Sequence, residues 1–191
     1  MKQEKLFKAG NKKIAKNTLI FCLPTSVCFG EGKQCHKCYA KKSEVRLPVV
    51  KASRDRKLAR FEMNHIQFFV DAIKEIKKAK KPYFRIHESG DFFSQDYIEI
   101  WEMIIEDCPD VMFYTYRKKA DVLDFTEINK LSNFNLVNGS NEKNYGSLDF
   151  CNELVKSKRY VLCPCEIDDS VHCMENCKVC LTAKKVCFIE H

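Results

Sequence analysis

Two rhythms of apolar spacing run along this chain, one suited to strands and one to helices. Thr18 to Leu23 is a short apolar run ended by Pro24, which predicts a buried strand. The polar, lysine-rich residues Met1 to Lys16 before it read as a loosely held arm. Lys41 to Ala52, interrupted by Pro48, reads as irregular, with Ser53 as a helix cap. From Arg54 to about Lys78, apolar residues recur at Leu58, Phe61, His65, Phe68, Ala72 and Ile76, steps of three and four that share one helical face. His65 on that face reads as a hydrogen-bonded, partly buried side chain and not as a ligand. Tyr83 to Ile86 is a second strand, running into His87-Glu88-Ser89-Gly90-Asp91-Phe92-Phe93. Ser94 then caps a helix whose stripe is Tyr97, Ile98, Trp101, Ile104 and Ile105. Beyond Cys108 and Pro109, Val111 to Tyr116 is a strand and Lys118 to Ser132 a weaker helix. Phe134 to Asn138 is a strand that ends in the turn Asn138 to Asn141. Ser147 to Lys156 is a short helix with Cys151 as a small core residue. Arg159 to Leu162 is a further strand, and Lys185 to Ile189 a last strand or an extended tail.

Strands alternating with helices predict an α/β fold with a mainly parallel sheet and right-handed crossovers. Five or six such units are too few for a closed eight-stranded barrel. The expectation is a partial (β/α) barrel or a curved, mainly parallel sheet with Cys-rich loops at the C-terminal edge of its strands. Residues 1–162 form the α/β domain, with a Cys loop at 22–38, and residues 163–191 a Cys-rich metal- or cluster-binding segment packed on the same domain.

Composition changes this picture in two ways. A chain of 191 residues folds without cross-links, so its twelve cysteines need another reason. No secretory leader is read in Met1 to Asn17 and no apolar run has the length of a membrane span. A reducing cytosol is therefore expected, where thiol clusters bind metals or do redox work more often than they form disulfides. The charge is also uneven. Residues 1–60 hold 16 Lys and Arg against 4 Asp and Glu, and the remainder 17 against 22. The basic N-terminal third could meet nucleic acid, or could be a solvated basic surface.

The candidate chemistry lies in two thiol-rich stretches. Cys28, Cys35 and Cys38 sit on a glycine-containing loop directly after the first strand, where open α/β folds place sites. Three thiolates can hold three irons of a 4Fe–4S cluster and leave the fourth open. Cys35-x2-Cys38 is equally a zinc half-site, and Cys22, His36 or a thiol from the C-terminal stretch could complete a closed one. The second stretch, Cys173-x3-Cys177-x2-Cys180 with Cys163, Cys165 and Cys187 around it, places six thiols in 25 residues. It could hold a complete cluster through Cys163, Cys173, Cys177 and Cys180, with Cys165 and Cys187 as other choices for the fourth ligand. The turn Ser89-Gly90-Asp91, together with Asn138, could line a cofactor or substrate; equally, Asp91 or Ser94 could simply cap the next helix. His87 and Glu88 could act as acid and base.

Asn11-x-Lys13-Ile14-Ala15-Lys16, Phe21-x-Leu23-Pro24, Cys35-x-x-Cys38-Tyr39-Ala40, Ser53-Arg54 and Phe84-Arg85-Ile86-His87-x-Ser89-Gly90-Asp91-Phe92-Phe93-Ser94-Gln95-x-Tyr97 resemble the phage gene-product-88 family. Trp101, Pro109, Phe113-Tyr114-x-Tyr116 and Val186-x-Phe188-Ile189-x-His191 extend the likeness over nearly the whole chain. It implies a viral or prophage origin and assigns no reaction. A looser likeness is to radical S-adenosylmethionine proteins. On it, Cys28, Cys35, Cys38 and Tyr39 would be the cluster loop, with a longer first spacing, and Ser89-Gly90-Asp91 the turn that binds the cofactor's amine. These readings make the protein a phage-type iron–sulfur protein, with radical S-adenosylmethionine-like oxidoreductase or transferase activity as one form of it. The alternatives are a zinc- or cluster-stabilised nucleic-acid-binding module without catalysis, and an electron-transfer protein.

Overall fold

Strand β2 (Thr18–Ile20), β3 (Tyr83–Arg85), β4 (Met112–Arg117) and β5 (Phe134–Asn138) lie side by side in chain order, all parallel. β1 (Lys8–Ala9) adds an antiparallel strand against β2. This computed structural model describes residues 4–28, 38–117, 123–138, 145–157 and 160–189, apart from the side chains of Arg117, Asn138 and Tyr145. A second sheet joins β6 (Tyr145–Gly146), β8 (Val186–Ile189) and β7 (Val161–Leu162) in parallel. The five-stranded sheet is open, with β1 and β5 at its edges, so among the described residues no barrel closes.

Register makes the two faces chemically different. Leu19, Phe84, Phe113 and Phe134 line up across four strands on one face. One residue further on, Ile20, Arg85, Tyr114 and Asn135 line up on the other. Helices cover the first face. In α4 (Gln95–Glu106) the stripe Tyr97, Ile98, Trp101, Ile104 and Ile105 is buried, and Ser94 Oγ accepts from the Tyr97 amide at 3.2 Å. Trp101 lies 5.5 Å from both Phe84 and Phe21 and 6.3 Å from Phe68 of α3 (His65–Ala79), ring centre to ring centre. Burial of these aromatic rings is the main apolar contribution to the core.

Four sequence expectations need correcting. The N-terminal arm is held: Leu6 and Phe7 are core residues, and the Leu6 amide donates to Glu75 Oε2 at 2.8 Å. Pairing of β1 covers the edge of β2, which would otherwise be unsatisfied. Residues 41–52 are helical, in α1 (Tyr39–Arg46) and α2 (Pro48–Met63). Pro48 starts α2, since proline in a first turn needs no amide partner, and Ser53 lies inside the helix with its hydroxyl on Glu4. The single helix expected from Arg54 to Lys78 is two, broken at Asn64, which caps α3 by accepting from the Gln67 amide. His65 stacks on Phe61 at 4.1 Å. The described part of Lys118 to Ser132 holds one 3-10 turn, Ile128–Lys130, and no α-helix.

Two cross-links brace the chain. The first joins the two stems of the first thiol loop. Glu44 of α1 accepts from the Thr25 amide at 3.0 Å and from the Thr25 hydroxyl, and pairs with Arg54 at 2.9 Å. Arg54 also donates to the Ala40 carbonyl. Both charged groups are buried. The second is a disulfide between Cys151 of α5 (Leu148–Lys156) and Cys187 of β8, two residues 36 apart in the chain.

Burial by itself would raise the Glu44 carboxyl, but the Thr25 hydroxyl, Arg54 and the Thr25 amide hold it below its usual value. A carboxyl held low contributes stability that is complete above its unfolded value of about 4.3 and is lost as pH falls through its folded value. Glu44→Gln should therefore cost about 3 kcal/mol at neutral pH, because it strands a buried guanidinium. In urea titrations the gap to wild type should narrow below about pH 4; a gap independent of pH would show that the carboxylate charge plays no part. Closing a loop of this length contributes about 3–4 kcal/mol in the chain-entropy model. Cys151→Ser should lose that much against unreduced wild type and nothing against wild type held in dithiothreitol.

Candidate metal centre

The face of the sheet opposite the helices is covered by the C-terminal segment. Pro164 and the Asp168–Ser170 turn keep this stretch from forming a long helix, and the Asp168 carboxylate accepts from the Ser170 amide and hydroxyl. An irregular segment needs partners for its peptide groups, and the sheet side supplies them. The Cys173 amide donates to the Lys13 carbonyl and the Ala15 amide to the Cys173 carbonyl, at 3.0 and 2.9 Å. Asn17 Nδ2 donates to the Met174 carbonyl. Asn135 Nδ2 donates to the carbonyls of Cys180 and Ala183. Met174 is buried with a positive φ of 65°.

These anchors gather thiols. Cys163 and Cys180 pack with Tyr114, Val137, Met174 and Val186, and Cys165 lies against the same cluster. Cys165 Sγ and Cys173 Sγ are 3.2 Å apart. Cys173 also packs on Ile14, Ile20 and Cys22, so thiols from the two ends of the chain share one face. Tyr116 Oη donates to Cys180 Sγ at 2.9 Å. Burial pushes the Cys163 thiol up to about 12 and the Cys180 thiol up to about 11, with neighbouring thiols adding to both. Cys165 is pushed up further by burial and by Cys173. Cys187 is joined to Cys151 and sits at the second sheet. Among the described residues no group of three or more His, Cys, Asp or Glu is already set to hold a metal ion.

Arg85 stands on this face between Ile20 and Tyr114. Its guanidinium carbon lies 4.9 Å from the centre of the Tyr116 ring, and its buried Nε has no hydrogen-bond partner among the described residues. Burial opposes its charge, but Tyr39, Tyr116, Tyr114 and Glu88 outweigh that and keep it protonated. The sequence reading passed over Arg85, Tyr116 and the Glu44–Arg54 pair as site residues. The signal for Arg85 was present: a charged residue alternates with Phe84 and Ile86 inside a buried strand.

The first thiol stretch leaves the C-terminal end of β2. Cys22 is buried and its thiol donates to Glu88 Oε2 at 3.3 Å. Burial and the Glu88 charge raise it. Glu88 also accepts from Lys8 and Asn11, and its carbonyl accepts from the Tyr39 hydroxyl. Burial would raise the Glu88 carboxyl, and Lys8, Arg85 and the Cys22 thiol together hold it low. Cys28 and Cys38 are half-buried at the two stems of the loop, whose Cys35 and His36 lie outside the described residues. The Ser89 hydroxyl donates to the Leu23 carbonyl at 2.8 Å, and Gly90 lies so close to Leu23 that an added Cβ would fall 2.5 Å from it. Asp91 accepts from the Phe92 amide. His87 is bonded to the Tyr97 hydroxyl at 2.8 Å. Asn138 ends β5 at the same sheet edge, and its side chain lies outside what is described.

A groove of about 490 Å3 runs between residues 11–17 and the C-terminal segment, lined by Asn11, Lys12, Lys16, Asn17, His172 and Glu175 among others. Among the described residues no helix is long and apolar enough to cross a membrane.

Comparison with known proteins follows the same residues. The Gene 88 protein of Mycobacterium phage D29 is 38% identical over 71 residues, covering 37% of this chain and 30% of that protein. The Gene 88 protein of Mycobacterium phage L5 is 29% identical over 118 residues, covering 59% of this chain and 49% of that protein. The matched stretches thus span half or less of these relatives. No solved structure matches. The model of the family described as Gene product 88 matches residues 2–186, nearly the whole chain, and the protein belongs to that family.

Proposed function

We propose that this phage-family protein binds a metal through thiolates of its C-terminal segment, from the set Cys163, Cys165, Cys173, Cys177 and Cys180. The observation that supports this most is the 3.2 Å separation of Cys165 and Cys173 within a nest of further thiols. A tetrahedral ion with bonds of about 2.3 Å spaces its sulfur ligands about 3.8 Å apart. Two sulfurs this close suit one shared ion, and small side-chain rotations would bring others to it. A 4Fe–4S cluster puts each thiolate on its own iron, so it would use Cys163, Cys173, Cys177 and Cys180 and leave Cys165 out. The two cargoes therefore differ in their need for Cys165.

Cys28 and Cys38, with Cys35 between them, are a second place for an iron–sulfur cluster, supported by the buried Glu44–Arg54 brace that holds both stems. S-adenosylmethionine at Ser89, Gly90, Asp91 and Asn138 is less well supported, because the Ser89 hydroxyl and Gly90 are already engaged with Leu23. Nucleic-acid binding has its own observation, the groove with Lys12 and Lys16 on its wall. Affinity there should fall steeply with salt and weaken in a Lys12→Ala, Lys16→Ala double variant.

Metal and acid-labile sulfide should be quantified on anaerobically purified protein. One zinc or iron per chain without sulfide, lost equally in Cys165→Ser and Cys173→Ser, is the expected result. Iron with comparable sulfide, kept in Cys165→Ser and lost in Cys173→Ser, would favour the cluster. Protein free of metal from metal-replete cells would overturn the proposal.

A further inference from the structure

We infer that Arg85 is the built-in counter-charge of the C-terminal thiol nest, so that the centre it faces is a net anion made of thiolates alone. This rests on the metal reading above. Arg85 lies on the middle strand of the sheet, on the face that carries the thiols. Its guanidinium stacks on Tyr116, whose hydroxyl donates to Cys180 Sγ. Arg85 makes no ion pair among the described residues and its buried Nε is unbonded. The nearby carboxylate, Glu88, is paired with Lys8 and further bonded by Asn11 and Cys22.

A buried guanidinium without an anion is costly, and removing one partner of a buried pair leaves that cost exposed. Among the described residues Arg85 is half-buried and makes no ion pair, and the carboxylate whose field reaches it, Glu88, is bonded by Lys8, Asn11 and Cys22. A divalent ion with four thiolates carries two net negative charges, whereas two thiolates with two imidazoles leave it neutral. Of these two, the first alone answers a fixed positive charge, and three thiolates with one imidazole would answer it with a single negative charge. The histidines agree with it: His172 is exposed on the groove, and His87 is bonded to Tyr97. Arg85 thus acts as a positioning residue for charge, and the stacked Tyr116 sets its distance from Cys180. Arginine suits this place better than lysine because its planar, weakly hydrated head stacks on a ring while keeping its charge.

The test uses the full chain stripped of metal and titrated with zinc against a competing chelator, alongside melting curves of the metal-free forms. Arg85→Met should bind zinc at least about tenfold more weakly than wild type, yet melt higher when metal-free, because a half-buried cation with no ion pair among the described residues has gone. Arg85→Lys should recover most of the affinity. A merely structural arginine would instead lower the metal-free melting temperature in Arg85→Met, and that result would overturn the inference. So would unchanged zinc affinity in Arg85→Met, or Arg85→Lys binding as weakly as Arg85→Met. Wild type that takes up neither zinc nor ferrous iron in the same titration would overturn this inference and the metal reading together, whereas normal uptake with no effect of Arg85 would leave the metal reading standing.

Discussion

Neighbouring strand residues point to opposite sides of a sheet, and in this protein both sides are buried. That constraint governs the rest of the structure. Leu19, Phe84, Phe113 and Phe134 face helices with apolar stripes, and the contact is driven by area removed from water. The residues between them must then be covered by something else. Here it is an irregular segment, which brings unpaired peptide groups with it. Asn135 and the backbone of residues 13–15 satisfy several of these, and in doing so they fix where the cysteines of that segment lie. The thiols are placed by the hydrogen-bond needs of the chain that carries them.

Electrostatics on the two faces follow from the same division. The helix side is apolar and aromatic, with His87 held by Tyr97. On the other side, Glu88 is paired with Lys8, while Arg85 lies over the Tyr116 ring and feels Glu88 only through its field. A low-dielectric surround makes an unanswered charge matter more. The thiol side of the sheet is therefore where a bound group would change the energetics most. The Glu44–Arg54 pair shows the contrasting case, a buried charge pair with its hydrogen bonds made, acting as a brace for the stems of the other thiol loop.

Much of the architecture could be read before any coordinates. The stripe Tyr97, Ile98, Trp101, Ile104 and Ile105 follows from spacing, and Ser94 and Ser147 cap their helices because their hydroxyls answer amides that nothing else can reach. The parallel order of β2 to β5 follows from the alternation of strands with helices. Where the reading failed, a local signal had two meanings. Pro48 looked like a breaker and is a first-turn residue. The helical spacing runs through Asn64, so periodicity could not show the break that its cap imposes. Leu6 and Phe7 are too few to announce themselves as core, yet they fill the edge beside β2.

What the sequence by itself determined is the parallel strands β2 to β5, the helices capped by Ser94 and Ser147 and the presence of two thiol-rich stretches, because helical and strand periods and cysteine spacing are local properties. It could not determine which cysteines meet. Cys151 pairs with Cys187 across the chain, Cys173 reaches Cys22, and Cys165 approaches Cys173. Nor could it show that Arg85 faces them. The faces that Arg85 and Cys187 take depend on strand register, and a shift of one residue would turn each to the other side. Long-range pairing decides such matters, and only the folded chain contains it.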